Sequence, residues 1–411
     1  MNTILLVLLI IITLNFIFEL ILDLLNLKYR KQPVPDVLSD VYPPDRYNLQ
    51  QRYEVETTRF SFLQGSISFI GTLLVFYMGW LGLLHEWVIS FELGNVLTTL
   101  VFFAVIVLVT QILSIPFSLW STFVIEEKYG FNRITPKLFV IDTIKSLLLL
   151  AIIGGGLLAL ITWIFYATEE WFWIIALGVM VVFSFIANAL YSRVIVPLFN
   201  KQEPLPEGEL LTSIKEFGQK VNFPVKKVFV MDGSKRSTKG NAYFSGFGRN
   251  RRVVLFDTLL EKMNNEEVLA VLAHEIGHFR KRHIWINMGL GLFQSAIILY
   301  IFGQLAVSTE LAVSLGYTEA TEPVFHLSLI AFGVLFSPIE HILGLFTNAL
   351  SRKMEYQADN FAKKHGFGDD LISGLKKLSA ENLSNLTPHP AYVFVNYSHP
   401  TLLQRVRNII S

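Results

Sequence analysis

NNEEVLAVLAHEIGHFRKRH, residues 264–283, is the stretch on which the rest of the chain is read. At about 3.6 residues per turn, His274 and His278 fall one turn apart on one face of a helix, where both imidazoles reach a single ion. Glu275 lies beside that face, placed to hold a water against the metal rather than to bind the metal itself. Val268, Leu269, Val271, Leu272 and Ile276 give the helix its buried sides. Asn264 and Glu267, three residues apart, make an N-cap with its reciprocal carboxylate. The plain alternative is a surface helix carrying two solvated histidines.

Composition widens the reading. A mean hydropathy of +0.49 with only 16% charged residues over 411 is far too apolar for a set of soluble domains, and implies a polytopic membrane protein. The absence of cysteine excludes disulfides, thiolate metal sites and cysteine nucleophiles, so any metal is held by His and carboxylates. A net charge of +1 and the lack of a basic groove pattern give no reason to expect a nucleic-acid partner. No Lys or Arg precedes Lys28, and the apolar run over 3–25 is too long for a signal-peptide core, which makes it a retained first span.

Segments long enough to cross a bilayer lie at roughly 3–25, 60–84, 96–120, 147–167, 171–192, 284–308 and 324–350, seven in all. The 34 Lys and Arg fall in four blocks, six in 28–59, four in 128–145, sixteen in 193–282 and eight in 352–407, and the alternate connections hold none. The positive-inside rule then puts the N-terminus outside, and the basic blocks, HEIGH and the C-terminus in the cytoplasm. Pro33, Pro35, Pro43 and Pro44 make the first loop extended, and 126–136 reads as a loop pinned at Gly130. Gly154, Gly155 and Gly156 suggest close helix packing.

The chain divides into spans one to five with their loops (1–192), a cytoplasmic insert (193–283), spans six and seven (284–350) and a cytoplasmic C-terminal segment (351–411). The insert begins with an amphipathic helix near 207–221. Its period then changes to two, predicting strands over 226–231, 241–247 and 251–257, a turn at 248–250 and a polar loop over 232–240. A small sheet just before an HExxH helix either covers that helix or offers an edge to an extended peptide.

Two histidines and a water leave a catalytic zinc one protein ligand short. Glu355 in SRKMEYQAD is the preferred third ligand, with Asp359 four residues on and on the same face, placed to accept a hydrogen bond from a ligating imidazole. Glu340, His341, His283 and His399 compete for that place, and an ordinary exposed Glu and Asp are the bland reading. Pro338, Glu340 and His341 within apolar sequence point to a polar cavity among the helices or to a local helix break. In the tail, His399 before Pro400 is held in an extended or turn conformation, and Arg405 reaches the same region from a helix starting at Pro400, a structural role being the plain alternative for both. In a peptidase such groups stabilise the oxyanion formed when water attacks a carbonyl.

HEIGH at 274–278, SRKMEYQAD at 351–359, GNAYFSGFG at 240–248 and NYSHPTLLQR at 396–405, in this order around seven spans, resemble the type I CAAX prenyl endopeptidase family. Its members are integral-membrane zinc peptidases, one of which also processes the yeast mating pheromone a-factor. The resemblance covers essentially the whole chain. It implies a mainly α protein, seven transmembrane helices around an intramembrane chamber with a small cytoplasmic β-sheet and a gluzincin-like HExxH helix. It also implies one zinc per chain on His274, His278 and Glu355, Glu275 as general base, Asp359 behind the ligands, His399 and Arg405 at the oxyanion, and Asn241 with Ala242 along the substrate backbone. The implied substrate is the C-terminal tail of a prenylated or similar membrane-associated polypeptide, in the endoplasmic reticulum or a bacterial inner membrane. Two rivals stand beside this reading: a heat-shock-type quality-control metalloprotease, and a seven-span receptor or transporter with a structural metal site. The sequence sets no oligomeric state.

Overall fold

The computed structural model describes residues 2–223, 225, 227–245 and 252–411. In chain order the helices are α1 (Thr3–Tyr29), α2 (Pro44–Tyr77), α3 (Trp80–Ile89), α4 (Gly94–Trp120), α5 (Pro136–Leu149), α6 (Gly155–Thr168), α7 (Phe172–Leu190), α8 (Val196–Phe199), α9 (Glu209–Lys220), α10 (Asp257–Leu260), α11 (Asn265–Arg280), α12 (His283–Leu305), α13 (Glu310–Ser314), α14 (Phe325–Lys364), α15 (Gly368–Glu381), α16 (Pro390–Asn396) and α17 (Leu402–Ile410). Among the described residues six helical stretches are long and apolar enough to span a bilayer, and the fourth of them runs 64 residues from Pro136 to Phe199. At 1.5 Å per residue such a stretch is about three times the hydrocarbon thickness, so it holds two passes. It reverses at Glu169, whose φ of 41° separates α6 from α7. The chain therefore crosses seven times as an integral multi-pass membrane protein.

Several boundaries differ from the sequence expectation. The second span ends at Tyr77, because Gly79 is left-handed with φ +67° and starts α3 in a new direction. The glycine triplet does not mediate packing against another helix: a Cβ at Gly155 or Gly156 would meet nothing within 4 Å, one at Gly154 would meet only Leu150 of its own helical stretch, and Gly154 ends a π-helical turn, Leu150–Gly154. The divide expected after 350 falls inside α14, which runs unbroken for 40 residues through Pro338. Proline takes the amide that would have bonded to the Val334 carbonyl, and the Ser337 hydroxyl donates to that oxygen instead at 2.8 Å. Asn15 of α1 donates to Ser337 at 2.7 Å, tying the two helices together there.

Buried side chains collect at the two ends of the bundle. At one end, Phe165, Phe172, Phe302, Phe325 and Phe332 form a cluster of edge-on and tilted rings, beside a second apolar group around Leu8, Phe102 and Leu311. At the other end lie the insert and the C-terminal helices. Between these plugs α14 has no buried residue from 337 to 353, and α12 has none between His283 and Phe302. On α14 that gap is about 25 Å of helix. The spans are thus walls one helix thick around a chamber. Asn15, Glu19, Asp23 and Asn26 of α1 are less exposed than Leu14, Ile21 and Leu25, as expected of a polar face turned inward.

The insert carries a four-stranded sheet: β1 (Gln202–Pro204), β2 (Val228–Met231), β3 (Ala242–Ser245) and β4 (Arg252–Phe256), in the order β1-β2-β4-β3. The three expected strands are present over Val228–Met231, Ala242–Ser245 and Arg252–Phe256, with 226, 246–247 and 251 outside the described residues, and β1 is an addition. β2 and β4 pair in parallel, while β3 pairs antiparallel with β4 and forms one edge of the sheet. The turn expected at 248–250 lies outside the described residues. Gly130 has φ +76° and closes the 126–136 loop as expected.

α11 has the expected capping box, with Glu267 N–H donating to Asn264 Oδ1 at 2.8 Å and Asn264 N–H donating to Glu267 Oε2 at 3.0 Å. Glu267 is 2% exposed and also receives Ser373 at 2.6 Å and Lys377 at 2.7 Å from α15. Burial pushes its pKa up, but the Lys377, Ser373 and Asn264 hydrogen bonds outweigh that and hold it below the usual carboxylate range. α11 packs closely on α14 at Gly277, where a Cβ would stand 3.0 Å from Ala358 Cα.

Two outcomes follow from these contacts. Replacing Glu267 by Ala removes the carboxylate half of the capping box and leaves Lys377 and Ser373 without their buried acceptor, an expected loss of about 2–3 kcal/mol in detergent unfolding. Because the folded pKa is depressed, this stabilisation is full above the unfolded value near ~4.3 and lost as pH falls through the folded value, so wild type weakens with acid more steeply than Glu267→Gln. Gly277→Val forces α11 off α14 and should cost about 1–3 kcal/mol in the same unfolding measurement.

Candidate active site

The close approach at Gly277 lays His274 and His278 against the last third of α14. His274 Nε2 and His278 Nε2 stand 3.1 Å apart, and Glu355 places Oε2 3.4 Å from the first and Oε1 3.2 Å from the second. These three residues are the group among the described residues that could hold a metal ion. Zinc bonds of about 2.0–2.1 Å set tetrahedral ligand atoms about 3.3 Å apart, so the three donors fit the edges of a zinc tetrahedron with one corner open. The tautomer of His274 agrees with this. Its Nδ1 lies 2.8 Å from Asp359 Oδ1, and an ionised carboxylate only accepts, so Nδ1 carries the proton and Nε2 keeps its lone pair.

Asp359 is fully buried, and Arg405 grips it with Nε donating to Oδ2 at 3.0 Å and a terminal nitrogen donating to Oδ1 at 2.5 Å. Burial alone would lower the Arg405 pKa, but the Asp359 hydrogen bonds and charge, with Glu355 and Glu275, raise it, keeping the guanidinium charged. Its remaining nitrogen is 3.8 Å from Glu355 Oε2. His399 reaches the ligand set from the loop after α16, with Nε2 3.4 Å from Glu355 Oε1 and a side chain 64% exposed. That loop is held by α14: Arg352 donates to the Tyr397 carbonyl at 2.6 Å and Asn348 to that of Val395 at 2.7 Å. Glu275 is half-buried beside the histidines, and burial pushes its carboxyl above the usual range.

The residues expected from the sequence therefore gather in one place: His274, Glu275, His278, Glu355, Asp359, His399 and Arg405. The direct partner of the Arg405 guanidinium is Asp359. Of the competitors for third ligand, Glu340 and His341 lie about 20 Å up α14, and His341 packs edge-on against Phe18 at 5.8 Å. His283 stands behind His278, with the two Nδ1 atoms 2.9 Å apart. Asn241 and Ala242 sit at the start of edge strand β3, which packs on α11, and Asn241 Oδ1 accepts the Ala242 amide at 2.8 Å. The sequence reading missed Gly277, whose lack of a side chain sets the α11–α14 distance, although its place inside HEIGH between two histidines was a visible signal. It also missed Gln357, which accepts from His283 at 2.9 Å.

Family models match nearly the whole chain: residues 23–201 fit "CAAX prenyl protease N-terminal, five membrane helices", and residues 204–411 fit "Peptidase family M48". A CAAX prenyl protease 1 homolog of Arabidopsis thaliana is 36% identical over 96% of this chain and 94% of its own length. The Homo sapiens homolog is 33% identical over 91% and 88%. The crystal structure of S. mikatae Ste24p superposes over 100% of both chains with a TM-score of 0.95 at 30% identity. With HExxH and a downstream Glu joined in one metal-binding geometry at the end of a seven-span chamber, the chain belongs to the CAAX prenyl protease 1 family of M48 integral-membrane metalloendopeptidases.

Proposed function

We propose that the chain is a zinc endopeptidase that holds one zinc on His274, His278 and Glu355 and cuts the C-terminal tails of prenylated, CAAX-type or similar membrane-associated polypeptides. The observation that carries this is the trio of donor atoms at 3.1–3.4 Å, the spacing of three ligand corners of a zinc tetrahedron, with His399 Nε2 3.4 Å from Glu355 Oε1. The substrate class rests on the relatives, which carry the name CAAX prenyl protease 1. When bound, zinc supplies Lewis-acid polarisation of the scissile carbonyl and acidifies a neighbouring water. Glu275, its pKa raised by burial, takes that water's proton on its carboxylate and returns it to the leaving amine. Asp359, held by Arg405, keeps His274 in the ligating tautomer. His399 Nε2 donates to the developing oxyanion, aided by the Arg405 charge. Edge strand β3 receives the substrate backbone beside Asn241 and Ala242, since one of its sides has no neighbour within the sheet.

The active-site end of the bundle faces the cytoplasm, a reading supported by the basic blocks that lie at this end. The membrane is that of the endoplasmic reticulum or a bacterial inner membrane. A heat-shock-type protease would share the ligand set, and a receptor with a structural metal would lack turnover.

A paired assay separates these readings: zinc content by metal analysis, and cleavage of a farnesylated CAAX peptide against its unprenylated twin. The expected result is about one zinc per chain with preferential cleavage of the farnesylated peptide. Equal cleavage would favour general quality control, and cleavage of neither would sink the peptidase reading. Glu275→Gln is expected to keep zinc and fold while losing roughly 10²–10⁴ in rate; full activity in that variant would overturn the mechanism.

A further inference from the structure

Of the two histidines in HEIGH, His274 has an obvious partner on its far nitrogen, the carboxylate of Asp359. His278 has one too, of a different kind. Its Nδ1 lies 2.9 Å from Nδ1 of His283, whose ring meets it edge-on at 5.0 Å between centroids. On the other side of that ring, His283 Nε2 is 2.9 Å from Gln357 Oε1. His283 is only 2% exposed.

We infer that His283 and Gln357 are a positioning pair that fixes the tautomer and ring orientation of His278, as Asp359 does for His274. The inference rests on the zinc reading above. To offer an Nε2 lone pair to an ion, His278 must carry its proton on Nδ1, and His283 Nδ1 is the acceptor placed to receive it. His283 then carries its own proton on Nε2 and donates it to the Gln357 side-chain oxygen, an acceptor. Donors and acceptors alternate from ligand to amide without conflict.

The backbone is built to allow this. Arg282 takes the left-handed conformation, φ 60° and ψ 29°, between the end of α11 and the start of α12. That turn folds the ring of His283 back on a residue only five positions earlier. α14 contributes Gln357 from two residues beyond Glu355, so one helix supplies a ligand, the partner of one imidazole and the end of the relay to the other. The two relays differ in charge: His274 is backed by an anion, and His278 by a neutral imidazole and amide.

The test is zinc release from the detergent-solubilised, full-length holoprotein into excess chelator, beside thermal unfolding of the metal-stripped protein. His283→Leu fills the space without an acceptor and is expected to release zinc about 10- to 100-fold faster, with unfolding of the stripped protein unchanged. His283→Asn puts Oδ1 where Nδ1 stood and is expected to recover most of the wild-type rate. Gln357→Leu is expected to accelerate release less than His283→Leu does. Wild-type release from His283→Leu, or equal rates for the Leu and Asn variants, overturns the inference. A stripped His283→Leu protein that folds but unfolds well below stripped wild type, with Gln357→Leu releasing zinc at the wild-type rate, assigns His283 to packing alone and also overturns it. Should His283→Leu fail to fold, Asn and Gln357→Leu carry the test, and wild-type release from Gln357→Leu then overturns the relay. A wild-type protein that neither contains nor takes up zinc overturns the zinc reading itself, an outcome distinct from all of these.

Discussion

The contact between α11 and α14 at Gly277 and Ala358 is the constraint on which the site depends. The two helices belong to distant parts of the sequence, one to the insert and one to the last span, and their separation sets whether three donor atoms can share an ion. A side chain at Gly277 would act on that distance before it touched any ligand. The capping box of Asn264 and Glu267 serves the same end, because its carboxylate is bonded to α15, which packs against both α11 and α14. Fold stability and metal geometry are here one set of contacts.

A hollow membrane protein cannot rely on a central core. The apolar burial that most domains concentrate at mid-height is moved to the two ends, a plug of phenylalanine rings on one side and the sheet with the C-terminal helices on the other. Polar ties bridge the wall between them, such as Asn15 to Ser337, and each replaces packing that the open interior denies. Pro338 illustrates the economy of this arrangement. The carbonyl it leaves without an amide is taken up by the neighbouring serine, so the helix continues.

What the sequence disclosed was what local periodicity and charge can encode. HEIGH, the capping box, Glu355 with Asp359 and the seven apolar spans repeat at spacings that map directly onto one helix face or one bilayer thickness. The parallel pairing of β2 with β4 was not legible, since parallel register leaves no signature in two short strands, and β1 has only three residues. Gln357 was hidden for a geometric reason: two positions from Glu355, it projects to a different side of α14 and finds its partner on α12. His283 was visible as a candidate ligand, but only the left-handed turn at Arg282 shows that it faces a histidine and not the ion. The grip of Arg405 on Asp359 likewise joins groups 46 residues apart in the chain.

The uninterrupted course of α14 makes that helix a measuring rod. From the phenylalanine plug at Phe325 to Glu355 is about 45 Å of continuous helix, with no loop along it to absorb a change in length. The depth at which peptide bonds are cut is therefore a fixed coordinate of the protein relative to its far end, set by a residue count. An insertion of one residue in this helix would rotate Glu355 by about 100° away from the histidines, so the length of α14 is quantised by its own pitch.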